Sequence, residues 1–221
     1  MAEQTESENL PSSIIQQLDL ANFLTLTGLM LGFFSAICAL HSQFYGALIC
    51  LIYAGLADVF DGFVAQKIHR TKWQSAVGKQ LDSLVDICSF GFSPAIFAYC
   101  FGLRDTLSIV LLMMYLGACG LRLAFFNSVG LYHESGNFYY IGMPVTYAAL
   151  FIPLSFFASF FLAEWKVIII LKVLYLSLTI AMVSEFKIIK LKGIWYGAVL
   201  FAALIMTGIY SWAIARQNQG F

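Results

Sequence analysis

Apolar residues run along this chain in blocks of about twenty. Short polar connections separate the blocks, which lie near 20–40, 44–66, 79–102, 107–127, 141–163, 166–184 and 194–214. A helix of that length, rising about 1.5 Å per residue, spans the hydrocarbon core of a bilayer. The pattern predicts an all-α integral membrane protein, a bundle of about seven transmembrane helices. The first 19 residues read differently. "MAEQTESENLPSS" is acidic and polar, without the basic start of a secretory signal, and predicts a polar tail. "SIIQQLDL" predicts a short interfacial helix leading into the first span. Gly28 and Gly32 form a GxxxG, a spacing that permits close helix contact. No internal repeat is visible.

Composition sharpens the picture. Of 221 residues, 61% are hydrophobic and 11% charged, where a soluble domain carries about a quarter charged. Lipid is therefore the main solvent, and a net charge of zero implies no nucleic-acid partner. The five cysteines, Cys38, Cys50, Cys88, Cys100 and Cys119, all fall in apolar segments without metal-ligand spacing and read as small buried hydrophobes. The cations orient the helices. Lys67, Arg70, Lys72 and Lys79 follow the second span, Lys187, Lys190 and Lys192 follow the sixth, and Arg122 sits at the matching end of the fourth. These are eight of the twelve Lys and Arg residues. The excess predicts a cytoplasmic N-terminus and an external C-terminus.

Against this apolar background, Asp58, Asp61, Asp82 and Asp86 hold a third of the acidic residues. Spacings of three and four put each pair on one helix face. A short basic connection joins the two helices, so all four carboxylates meet at similar depth, just inside the cytoplasmic face. Four anions in a medium of low dielectric need a counter-charge. Scattered helix-end acids paired with nearby lysines would have no reason to share a face. Hard oxygen ligands in this number suit Mg²⁺ or Mn²⁺ over zinc. Gly62, Ala65 and Gly78 leave bare backbone beside the acids, for approach of a ligand or for helix packing; spacing does not separate the two. Acids within helices also suit an ion transporter. Transporters, however, show repeats and polar groups near the midplane.

At these residues the sequence resembles the CDP-alcohol phosphotransferase family, whose signature is D-x-x-D-G-x-x-A-R, eight residues, then G-x-x-x-D-x-x-x-D. Here it reads Asp58-Val-Phe-Asp61-Gly62-Phe-Val-Ala65-Gln66, then Gly78-Lys-Gln-Leu-Asp82-Ser-Leu-Val-Asp86. Asn22 to Thr25 resembles the family's N-x-x-T. "LRLAFFN", "YIGMPVTYAA" and "MVSEFKIIKLK" are similar to segments of the phosphatidylserine synthases in this family. Two positions depart from the pattern. Gln66 replaces the signature arginine, with eleven residues before Gly78, and Phe125 replaces a second arginine, leaving Arg122.

The resemblance implies a membrane core over 20–193, preceded by the tail and interfacial helix (1–19) and followed by an additional C-terminal helix (194–221). It implies transfer of a phosphatidyl group from CDP-diacylglycerol to a small hydroxyl acceptor, with serine favoured and glycerol phosphate, inositol phosphate or another polar alcohol as alternatives. Asp58, Asp61, Asp82 and Asp86 would hold two divalent ions, with Asp86 also the general base. Asn22, Thr25, Gly62, Ala65, Gly78 and Arg70 would bind the CDP-lipid, and Arg122 and Lys79 the acceptor. A homodimer in the cytoplasmic membrane, with its active site toward the cytoplasm, is implied by the family.

Overall fold

The computed structural model describes residues 13–130, 132–134, 137–189 and 194–219. Lys190, Lys192 and the tail before residue 13 lie outside them. A 3₁₀ turn, Ile15–Gln17, leads into α1 (Leu20–Leu40) and α2 (Phe44–Ala65). Next come α3 (Lys72–Asp86), a π-helical turn (Ile87–Phe92), α4 (Ser93–Phe101) and α5 (Thr106–Val129). Beyond α5 lie β1 (Tyr132–Glu134), β2 (Asn137–Ile141), α6 (Ala148–Phe156) flanked by 3₁₀ turns, α7 (Glu164–Val183), β3 (Lys187–Ile189) and α8 (Ile194–Asn218).

Among the described residues, six helices are long and apolar enough to cross a membrane: α1, α2, the continuous 30-residue α3–α4 helix, α5, α7 and α8. The helical segment Val145–Phe160 is a shorter seventh. The chain is an all-α integral membrane protein apart from one small antiparallel sheet of order β1-β2-β3, which the apolar pattern does not predict. This sheet joins the α5–α6 and α7–α8 connections, pairing Tyr140 with Ile188 and Ile141 with Lys187.

Two boundaries and one cysteine differ from the sequence pattern. The third helix begins at Lys72 rather than 79, because Thr71 and Gln74 form a reciprocal capping box. Its first two turns are polar, so apolar periodicity alone passes over them, and Lys79 belongs to the helix rather than the connection. The fifth helical segment begins at Val145 rather than 141. Ile141 ends β2, Gly142 adopts a positive φ of 70°, and Pro144 is extended. Among the cysteines, Cys88 is exposed on the helix surface rather than buried.

In lipid every backbone polar group needs a partner inside the protein. Pro94 has no N–H to direct at the Phe90 carbonyl one turn back, and the chain widens into its π turn just before this proline. The buried Tyr115 hydroxyl donates to Phe90 O instead, at 2.5 Å. Tyr175 donates to Pro94 O and Tyr210 to Pro153 O, both at 2.5 Å. At the end of α2 far from its aspartates, Phe44, Phe97, Phe101 and Phe156 pack mostly edge to face, with centroids as close as 4.7 Å. Lys172, inside α7, pairs with Asp105 at 2.7 Å.

The GxxxG glycines set the approach of α1. A Cβ on Gly32 would sit 2.5 Å from Ser89 Oγ and 2.8 Å from Ser89 Cα in the π turn. A Cβ on Gly28 would be in ordinary contact with Ala57, 3.6 Å away. Ser89 also donates to Gly28 O at 3.2 Å, tying the π turn to α1. Gly32→Ala is therefore expected to destabilise the bundle by about 1–3 kcal/mol through overpacking against backbone. Gly117→Ala, where nothing lies within 4 Å, is the neutral control. Thermal midpoints of the two variants in detergent check this, with only Gly32→Ala expected to fall.

Candidate active site

The acid site forms where the end of α2 meets α3. Asp58 and Asp61 share a face of α2, and Asp82 and Asp86 a face of α3. One carboxylate oxygen from each of Asp58, Asp82 and Asp86 lies within 4.8 Å of the other two. Asp61 stands beside this trio and is held from α1, where the Thr25 hydroxyl donates to its Oδ2 at 2.5 Å. Asp61 and Asp86 are buried, Asp58 and Asp82 half-buried. Asp86, the last residue of α3, points into a narrow recess that Asp58, Asp61 and Asp82 also line.

Above the recess opens a cavity of about 340 Å³, walled by Asp58, Asp61 and Asp82. Asn22, Thr25, Gly62, Ala65, Arg70, Gly78 and Lys79 line it too, together with Tyr140. The two glycines have different surroundings. Nothing lies within 4 Å of a Cβ placed on Gly62, so the backbone there is open to the cavity. A Cβ on Gly78 would run into Arg70 Nη2 and Asn22 Oδ1, so this glycine lets α3 lie against those side chains.

Arg70 is anchored on three sides. Its Nε pairs with Asp19 Oδ2 at 2.6 Å, and Nη2 donates to Asn22 Oδ1 at 2.6 Å and to Gln74 O at 3.0 Å. Asp19 also caps α1 by accepting from Asn22 N–H at 2.8 Å. Asn22 Nδ2 in turn donates to Gln17 O at 2.7 Å. This network ties the 3₁₀ turn, the start of α1 and the start of α3 into one rim. Lys79 Nζ donates to Asn127 O at 2.8 Å, bridging α3 to α5.

Arg122 projects from α5 and is 6% exposed, yet its Nε and Nη2 have no hydrogen-bond partner. The guanidinium carbon lies 4.9 Å from the Phe126 ring centroid and 5.7 Å from that of Tyr140. Arg122 does not line the cavity, whereas Lys79 does. The sequence analysis reads Asp19 within "SIIQQLDL" and Tyr140 at the head of "YIGMPVTYAA" but assigns neither to the site. Asp19 carries a legible signal, an N-cap just before an apolar run, but Tyr140 reaches the site only through the sheet.

The CDP-alcohol phosphatidyltransferase family model matches residues 18–215. The chain is similar to an archaetidylserine synthase of Methanothermobacter thermautotrophicus, 29% identical over 175 residues, covering 79% of this chain and 71% of that one. It is 32% identical over 123 residues to a CDP-diacylglycerol–serine O-phosphatidyltransferase of Saccharomyces cerevisiae, covering 52% of this chain and 43% of the yeast protein. The Bacillus subtilis enzyme of the same name is 32% identical over 124 residues, covering 53% and 66% respectively.

The rim network generates a stability prediction. Arg70→Ala leaves Asp19 Oδ2 and Asn22 Oδ1 without their donors and should cost about 1.5–3 kcal/mol, the range for hydrogen bonds to charged groups. The amides at the start of α1 should exchange hydrogen faster, while those of α5 keep their protection. Hydrogen exchange read by mass spectrometry checks this. Equal protection of α1 in both proteins would mean that the network does not hold the rim.

Proposed function

The chain belongs to the CDP-alcohol phosphatidyltransferase family, and from that premise we propose that it transfers a phosphatidyl group from CDP-diacylglycerol to L-serine, releasing CMP. The observation that carries the reading is the convergence of Asp58, Asp82 and Asp86 at the foot of an open cavity, with Asp61 beside them. Such a trio, all hard oxygen donors without a histidine or cysteine, fits a cation such as Mg²⁺ or Mn²⁺. The four aspartates would hold the ions, two by family resemblance. Bound there, divalent ions neutralise pyrophosphate charge and stabilise the departing CMP.

The residues of the chain do the rest. Asp86 takes the proton of the acceptor hydroxyl as its oxygen bonds to the lipid-bearing phosphorus and the bond from that phosphorus to the CMP oxygen breaks. Asn22, Thr25, Gly62, Ala65 and Gly78 border the nucleotide, and the open backbone at Gly62 admits it closest. Arg70 stands in for the arginine that Gln66 replaces. Its remaining donor capacity faces the pyrophosphate while Asp19 and Asn22 hold it in place.

Serine is favoured by the cations. A planar guanidinium with two unpartnered nitrogens suits one carboxylate. A phosphate-bearing acceptor, with nearly two charges, would want several free cations, whereas Arg70 and Lys79 at the cavity are already bonded to protein oxygens. Lys79 borders the acceptor rather than neutralising it. The active site would face the cytoplasm, where cytidine nucleotide and serine are dissolved and the cation-rich connections lie. Homodimer assembly rests on the family resemblance.

This reading has three expected outcomes. Purified protein with CDP-diacylglycerol, Mn²⁺ or Mg²⁺ and serine should release CMP, and chelation should stop it. Asp86→Asn should lower turnover by at least about a hundredfold, the scale of a lost general base, while CDP-lipid binding persists. Near-wild-type turnover in Asp86→Asn would exclude it as the base. For orientation, single cysteines replacing His69 and Gln217 in a cysteine-free chain should be labelled from opposite sides of the membrane. An impermeant reagent on intact cells should reach only position 217, and labelling of position 69 alone would reverse the orientation.

A further inference from the structure

We infer that Tyr140 is a positioning residue for acceptor recognition, through which the small sheet holds the Arg122 guanidinium beside the cavity. The inference rests on the serine reading above. Tyr140 lies on β2, and its side chain lines the cavity that Asp58, Asp61 and Asp82 wall. The same ring lies 5.7 Å from the Arg122 guanidinium carbon and 5.7 Å from the Phe126 ring, tilted 47° to it. Arg122 is thus flanked by two aromatic rings at cation–π distance. Its neighbour Tyr140 reaches the cavity wall, and the guanidinium itself does not.

Nε and Nη2 of this buried guanidinium have no hydrogen-bond partner to fix their orientation. Aromatic faces supply that orientation without consuming N–H donors, so the fork stays available to a planar anion. Phe126 comes from the same helix as Arg122, one turn on, and would accompany it anywhere. Tyr140 comes from a different element, and it therefore registers α5 against the rest of the site. Its own position is set by backbone pairing with Ile188 of β3. Beyond the strand, Gly142 N–H donates to Phe186 O at 3.0 Å and Met143 N–H to Ala181 O at 3.0 Å, clamping the connection to the end of α7. Acceptor affinity is consequently built on the pairing of two connections, separately from the helix pair that carries the aspartates.

The test compares Tyr140→Leu and Tyr140→Phe with the wild-type chain, measuring KM for serine, KM for CDP-diacylglycerol and direct CDP-diacylglycerol binding in detergent. Tyr140→Leu removes the ring and should raise KM for serine by about tenfold, as expected for loss of a desolvated cation–π contact. KM for CDP-diacylglycerol should move by less than about twofold, since the nucleotide is bordered by α1, α2 and α3. Tyr140→Phe keeps the ring and should recover KM for serine to within about threefold of wild type, because the ring face is what holds the guanidinium. The inference is overturned if Tyr140→Leu leaves KM for serine unchanged, if it loses CDP-diacylglycerol binding as well, or if Tyr140→Phe is as impaired as Tyr140→Leu. Absence of serine turnover by the wild-type chain would remove the serine reading and this inference together. Serine turnover with an unchanged KM in Tyr140→Leu would remove this inference alone.

Discussion

The close approach of α1 to both acid-bearing helices is the constraint on which the site depends. Without a Cβ at Gly32, α1 lies directly against Ser89 in the π turn, and Gly28 lies against Ala57 of α2. That proximity lets Thr25 reach Asp61 and lets Ser89 bond the Gly28 carbonyl. Between helices in lipid there is no hydrophobic gain to draw them together, so contact area and hydrogen bonds must hold them. Small residues at the crossing supply the first, and Thr25 and Ser89 the second. The carboxylates of α2 and α3 converge because one neighbour positions both helices.

The same environment explains where the tyrosines go. A proline in a membrane helix frees a carbonyl that water cannot satisfy, and Tyr115 meets that need at Phe90. The widened turn this accompanies begins immediately after Asp86. The last acid of the site therefore sits at the junction between regular helix and π turn, a position at which irregular backbone is common in functional sites. Tyr175 and Tyr210 tie α4 to α7 and α6 to α8 by donating to the carbonyls of Pro94 and Pro153 themselves. Backbone accounting and site geometry are solved together.

Charge is distributed with comparable economy. Arg70 and Lys79 border the cavity but are committed to Asp19, Asn22 and Asn127, where they join elements that would otherwise splay at the membrane edge. Arg122 is the contrasting case, buried with two nitrogens unpartnered and set between rings. The Arg70 guanidinium used as a tie and the Arg122 guanidinium left with two unpartnered nitrogens serve different ends, although in the sequence they are the same residue type.

Much was legible from residues alone. The long apolar helices and the shorter seventh segment follow from apolar length, because a run of about twenty apolar residues satisfies its own backbone in lipid as a helix. Helical periodicity puts Asp58 with Asp61 and Asp82 with Asp86 on one face each, and the short connection keeps the two helix ends near each other; both are local properties, whereas α1 packed on both helices brings the two faces together. Local rules also contained more than apolar runs revealed: Thr71 and Gln74 mark the true start of α3, and Gly142 with Pro144 marks the break before α6. What tertiary structure alone decided is long-range. The three strands are too short for a period to show; β1 pairs with β2 locally, but β2 finds β3 nearly fifty positions away, Tyr140 with Ile188. That pairing carries Tyr140 to Arg122. Arg70 is likewise engaged by Asp19, fifty-one positions away. Periodicity orients a side chain on its own helix, but which side chain faces it from another element depends on how the whole bundle packs.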